Sequence, residues 1–154
     1  MSATSSKSGS VTAANQFVET GGRRLAYRSV GEGTPIVLCT RFRGNLDVWD
    51  PAFLDALAAR GFRVITFDYS GLGLSTGNRD YNPVALARDA HDLIEALGLK
   101  PVVIGGWSLG GLAAQVVVAM FPGSSVTRCS SRRDRRARRS SPANSSSTTP
   151  PPIR

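Results

Sequence analysis

Histidine is nearly absent from this chain. The 154 residues hold one, His91, and none follows it. Carboxylates are also scarce late in the sequence, where Asp134 is the only Asp or Glu after residue 108. Cysteine is limited to Cys39 and Cys129, at no metal-ligand spacing. That excludes a disulfide-stapled scaffold and a cysteine zinc site, and it fits two free thiols in a reducing compartment. Lysine appears only as Lys7 and Lys100, and neither follows a glycine loop, so a phosphate-cradling P-loop is excluded. No long apolar run exists. The longest, Leu112–Phe121, is broken by Gln115 and falls far short of the ~20 residues that span a bilayer. Met1–Asn15 is Ser/Thr/Ala-rich without the apolar core of a signal peptide. The expectation is a cytoplasmic chain with no membrane partner.

The charge is distributed unevenly. Residues 1–122 carry 11 basic and 10 acidic side chains, close to neutral, whereas residues 123–154 carry eight arginines and one acid. The high pI therefore describes the tail and not a basic face on a folded body. Ser, Arg, Thr and Pro make up 24 of the last 32 residues, and only Val126, Cys129 and Ile153 are sizeable apolar groups. Such a segment cannot offset the ~1–2 kcal/mol per residue that backbone ordering costs. Three regions are expected: a disordered lead over 1–15, a folded domain over 16–122 and a disordered tail over 123–154. The run Arg132–Arg139 would give salt-dependent phosphate affinity but has no interleaved aromatics, so specific nucleic-acid binding is not expected. The change at Pro122 is abrupt and falls in mid-domain. It reads as a frameshifted continuation of a GC-rich gene, because such shifted frames yield Arg, Ser and Pro.

The body has a regular order. Phe17–Thr20 and Leu25–Val30 flank Gly21-Gly22 and read as a hairpin. Pro35–Cys39 is a continuous apolar run, the mark of a strand buried on both faces. After a loop over Thr40–Asp50, Pro51 opens a helix that Gly61 ends. Phe62–Phe67 is the next strand. A Gly/Ser-rich loop then leads to Asn82-Pro83, a cap and first-turn proline. The helix they start carries Leu86, Ala90, Leu93, Ile94 and Leu97 at 3–4 spacing and stops at Gly98. Pro101–Ile104 is a third apolar strand and Leu109–Phe121 a third helix. Alternating strands and helices behind a hairpin predict an α/β fold: a parallel sheet with helices on both faces, in three layers.

Between that last strand and helix stands Gly106-Trp107-Ser108-Leu109-Gly110-Gly111. A serine in Gly-x-Ser-x-Gly at a sharp strand-to-helix turn is pushed out of the sheet beside a helix N-terminus, the placement of a nucleophile. The loop Gly71-Leu72-Gly73 opens no helix and its glycine spacing is off by one, which argues against a dinucleotide site.

Three motifs in one order resemble the N-terminal half of an α/β-hydrolase over about residues 17–122. They are the strand–loop Pro35–Gly44, the loop Asp68-x-x-Gly71-x-Gly73-x-Ser75, and Gly106–Gly111. The resemblance implies Ser108 as nucleophile. It implies an oxyanion hole made by the Leu109 N–H and, by position, the Phe42 N–H. It implies a small-molecule ester or acyl substrate, no cofactor and no metal. In this chain Thr40-Arg41 replaces the family's His-Gly pair, and Arg41 stands where a glycine lets the backbone turn. The family order is serine, acid, histidine, and no histidine follows Ser108. His91 sits mid-helix and reads as a satisfied or solvent-facing side chain, not a catalytic base. The implied reading is a serine hydrolase truncated after the nucleophile helix and inactive alone, with Val102–Ile104 left as an exposed sheet edge. The alternative is a non-catalytic protein whose arginine tail binds nucleic acid or another polyanion. The oligomeric state is left open.

Overall fold

A computed structural model describes residues 9–122 and the backbone of residues 126–128. β1 (Gln16–Thr20) and β2 (Arg23–Val30) form the expected antiparallel hairpin, with Thr20 opposite Arg23. Its two-residue turn needs positive φ at both positions, and Gly21 (56°) and Gly22 (74°) supply it. β3 (Thr34–Cys39), β4 (Phe62–Phe67), β5 (Val102–Gly106) and β6 (Val126–Arg128) complete a sheet of order β1-β2-β4-β3-β5-β6. β2 meets β4 antiparallel, while the pairs β3–β4, β3–β5 and β5–β6 are parallel.

The helices end where local chemistry says they should. α2 (Pro51–Ala58) is capped by the Asp50 carboxylate, which accepts from the Ala52 N–H at 2.9 Å. α3 (Pro83–Ala96) is capped by the Asn82 side-chain oxygen, which accepts from the Val84 N–H at 2.9 Å. α4 spans Leu109–Met120.

Side chains along β3 alternate between two cores. Val37 and Cys39 face the larger one with Ile65, Phe67 and Ile104, under Leu86, Ala90, Leu93 and Ile94 of α3 and Ala113 and Val117 of α4. Ile36 and Leu38 face the smaller one with Val64, under Leu54 of α2. This is the predicted three-layer arrangement. Among the described residues no helix is long and apolar enough to cross a membrane.

Two expectations need correction. The lead expected to be disordered contains a helical turn, α1 (Gly9–Thr12). Ser10 is buried there, its N–H donating to Asp55 Oδ1 (3.0 Å) and its hydroxyl to the Pro51 carbonyl (3.2 Å). Four residues held by polar contacts to a distant helix leave no periodic signature. Secondly, the segment expected to be a disordered tail contains β6, which pairs Val102 with Val126 and Ile104 with Arg128. The exposed Val102–Ile104 edge is therefore covered by a strand, even though that strand is only three residues long. Residues 1–8, 123–125 and 129–154, with Cys129, Asp134 and the Arg132–Arg139 run, lie outside the described residues.

Candidate active site at the β5–α4 turn

Ser108 sits between β5 and α4 with φ 57° and ψ −120°. A non-glycine residue in such a conformation costs about 1–3 kcal/mol and persists only where its surroundings enforce it. Here they do. A Cβ on Gly106 would run into the Gly110 carbonyl, and one on Gly110 would run into the Cys39 carbonyl. The Trp107 N–H donates to the Cys39 oxygen (3.1 Å), the Gly110 N–H to the Trp107 oxygen (3.0 Å) and the Gly111 N–H to the Ser108 oxygen (2.8 Å). The two glycines of Gly-x-Ser-x-Gly are thus a steric requirement of the turn. Ser108 itself is exposed, and its hydroxyl makes no capping bond to α4.

Leu109 is the first residue of α4, so its N–H has no carbonyl one turn earlier within the helix and adds to the positive end of the helix dipole. Phe42 lies in the turn Arg41–Gly44, closed by the Gly44 N–H donating to the Arg41 oxygen (2.9 Å), which leaves the Phe42 N–H out of the turn's own bond. The Phe42 ring packs on Tyr81 with centroids 4.4 Å apart. The left-handed residue of this turn is Arg43 (φ 57°), not Arg41. Arg41 therefore needs no glycine-like freedom. Gly44 is required instead for close approach, since a Cβ there would strike the Thr40 hydroxyl. Gly110 packs against the carbonyls of Cys39 and Thr40, which brings the β3–α2 loop alongside the serine turn.

The Asp68–Ser75 loop is built around a buried carboxylate. Asp68 accepts from the Leu46 N–H (2.7 Å) and the Leu74 N–H (2.8 Å), and so ties the loops after β3 and β4 together. Burial pushes its pKa above the ordinary carboxylate value, opposed by those two bonds. Gly73 (φ 50°) is obligatory because a side chain there would overlap the Asp68 carboxyl. The Ser75 hydroxyl donates to the Asp68 carbonyl (2.7 Å) and accepts from the Ala26 N–H (2.9 Å).

His91 stacks on Phe121 at 3.6 Å between centroids and 16° between planes, with Asp92 and Glu95 near its nitrogens at 3.7 and 3.9 Å. It is a packing contact between α3 and α4, the first of the two expectations for it. One polar cluster escaped sequence reasoning. Buried Asp89 accepts from Arg23 Nη2, the Ser70 N–H and the Ser70 hydroxyl, each at 2.7 Å, and Arg23 also bonds Asp92 at 2.7 Å. The available signal was an acid on the apolar stripe of α3, three residues after Leu86 and four before Leu93. A cavity of about 490 Å³ opens beside this cluster and a second of about 240 Å³ beside Trp49; neither is lined by Ser108, Leu109 or Phe42.

Residues 34–148 match the family model of the alpha/beta hydrolase fold. The chain belongs to the α/β-hydrolase family. The family match runs past Pro122, where the sequence motifs end. Human serine hydrolase BPHL is 36% identical over 120 residues, covering 73% of this chain and 40% of that protein. Non-heme chloroperoxidase CPO-A1 of Kitasatospora aureofaciens is 34% identical over 91 residues, covering 58% and 33%. Among solved structures, an alpha/beta hydrolase fold protein from Chitinophaga pinensis superposes with a TM-score of 0.72 at 35% identity, covering 77% of this chain and 44% of that one. The chain thus spans 40% and 33% of the lengths of these two curated relatives.

Proposed function

We propose that this chain carries the nucleophile half of an ester- or acyl-cleaving serine hydrolase. Ser108 is the nucleophile, and the N–H groups of Leu109 and Phe42 are the oxyanion donors. The observation that carries the reading is the enforced left-handed conformation of an exposed, uncommitted serine at the start of α4. In such a site Ser108 Oγ attacks the acyl carbon. The developing oxyanion is held by donors fixed before the reaction begins, and the leaving group departs protonated. A base must take the serine proton. No histidine follows Ser108 in these 154 residues, and His91 is committed to Phe121. The hydroxyl therefore stays protonated, and the chain by itself is catalytically silent. The human relative is a serine hydrolase, which supports the nucleophile type.

Two measurements test this. The 154-residue chain should neither hydrolyse p-nitrophenyl acetate faster than its Ser108→Ala variant nor take up a fluorophosphonate label at Ser108. A Ser108-dependent rate or label would overturn the silence. Residues 1–122 should then be fused to the C-terminal part of the Chitinophaga pinensis protein, with folding confirmed by circular dichroism. Labelling at Ser108, lost in Ser108→Ala, is the expected result. A folded but unlabelled fusion would remove Ser108 from its role.

A further inference from the structure

The turn that offers the Phe42 N–H is unusual for its charge. Arg41 and Arg43 flank Phe42, and neither appears in the ion pairs of the described residues, which are formed by Arg23, Arg28, His91 and Lys100. Instead each guanidinium lies over an aromatic ring. Arg41 is 5.5 Å from the centroid of Trp107, the residue before Ser108, and Arg43 is 5.3 Å from that of Phe42. Both rings are about half exposed, at 50% and 47%. Stacking holds the planar fork in place while leaving its N–H edges free for an anion. Arg41 uses one donor, from Nη1 to the Phe42 oxygen (3.2 Å), and a guanidinium has five.

The carboxylates of the adjoining loops are already engaged. Asp47 pairs with Arg28 at 2.7 Å, and Asp68 accepts two backbone N–H groups. The positive end of α4 adds to the same field. Arg41 and the N-terminus of α4 thus border the serine turn, with Arg43 on the far side of Phe42, and among the described residues neither arginine is paired with a carboxylate.

We infer that Arg41 and Arg43 select acyl substrates bearing a carboxylate, such as the half-ester of a dicarboxylic acid, by docking that carboxylate beside Trp107. This rests on the reading of Ser108 as nucleophile, but the binding step does not need the missing base, so it is measurable in the chain as it stands.

The chain has two tryptophans, Trp49 and Trp107, with centroids 6.4 Å apart, so intrinsic fluorescence reports on this surface. The probes are monoethyl succinate, which is anionic, and diethyl succinate, which is neutral and otherwise alike. The monoester should bind saturably and about tenfold more tightly than the diester. Exposed charge pairs contribute up to about fivefold each, and two are available. Arg41→Gln and Arg43→Asn should each weaken monoester binding about three- to fivefold, and the double variant should abolish the preference. Arg41→Lys should restore only part of what Arg41→Gln loses, and 0.5 M salt should shrink the preference. Circular dichroism confirms that each variant is folded. Equal affinity for the two probes, or a preference that survives the double variant, would overturn the inference. The outcomes separate from those for Ser108. A labelled Ser108 in the fusion with no anion preference defeats the arginine role alone. Arginine-dependent binding with an unlabelled Ser108 defeats the nucleophile and leaves an anion site.

Discussion

The serine turn and the two buried carboxylates treat polar atoms in opposite ways. Asp68 and Asp89 are almost wholly buried, and each accepts two or more hydrogen bonds, at least one of them from a residue distant in sequence. Ser108 is exposed, caps nothing and occupies a conformation that costs free energy. Burial alone would have nominated the carboxylates as the reactive groups. Partnering reverses that choice: a group whose bonds are all satisfied holds the structure together, and a group held under strain with its hydroxyl free is available for chemistry.

Substitutions can break this contrast, and the largest effect belongs to the glycine that enforces the turn. Gly110→Ala should destabilise the fold by more than about 3 kcal/mol, because the new methyl overlaps main-chain carbonyls that cannot move aside. Urea unfolding measures it, and a loss below 1 kcal/mol would show that the turn tolerates relaxation. Next comes Asp89→Ala, which leaves the Ser70 N–H buried without its acceptor and Arg23 with Asp92 as its one carboxylate partner. About 2–3 kcal/mol is expected, less than for a fully desolvated pair because Arg23 retains that second partner. Ser108→Gly should act in the opposite sense and stabilise by about 1 kcal/mol, since it relieves the left-handed strain and removes no bond. A destabilising Ser108→Gly would mean that the serine supports the fold after all.

The smallest effect, over a single pH unit, is a pH dependence. Burial pushes the Cys39 thiol up to about 12 from an ordinary value near 9. Between those values the unfolded chain has released this proton and the folded chain has kept it, so stability falls as pH rises through that window. The contribution is fully present below pH 9 and gone above 12, with a slope of at most about 1.4 kcal/mol per pH unit. Tyr69, also raised by burial, joins above its ordinary value of 10. The difference between wild type and Cys39→Ala should therefore emerge between pH 9 and 10. Parallel stability curves across that interval would refute it.

Most of the body was legible because its signals are local. Pro51 and Asn82-Pro83 started helices where a missing N–H or a side-chain cap serves, and the apolar runs of β3, β4 and β5 matched strands buried on two faces. The sharp turn at Ser108 was legible for the same reason, since the glycines around it answer to contacts within one turn and its neighbouring strand. What the sequence hid was held by distant partners. α1 depends on Asp55 and Pro51, β6 depends on the edge of β5, and the worth of Asp89 depends on an arginine 66 residues earlier. In the turn Arg41–Gly44, sequence reasoning centred on the glycine missing at Arg41, but the strained position is Arg43, and the tight contact is at Gly44.

The strand order carries a consequence for how the chain is made. β4 lies between β2 and β3, which both leave the ribosome before it and have no bonds to each other. Until residue 67 has emerged, β3 has no neighbour and the β1–β2 hairpin stands alone. After that point the sheet is seeded, and β5 and then β6 each join the single growing edge in the order of their synthesis. In the order of synthesis the serine turn thus comes after β2, β3 and β4, and its Trp107 N–H bonds a carbonyl, that of Cys39, made 68 residues earlier.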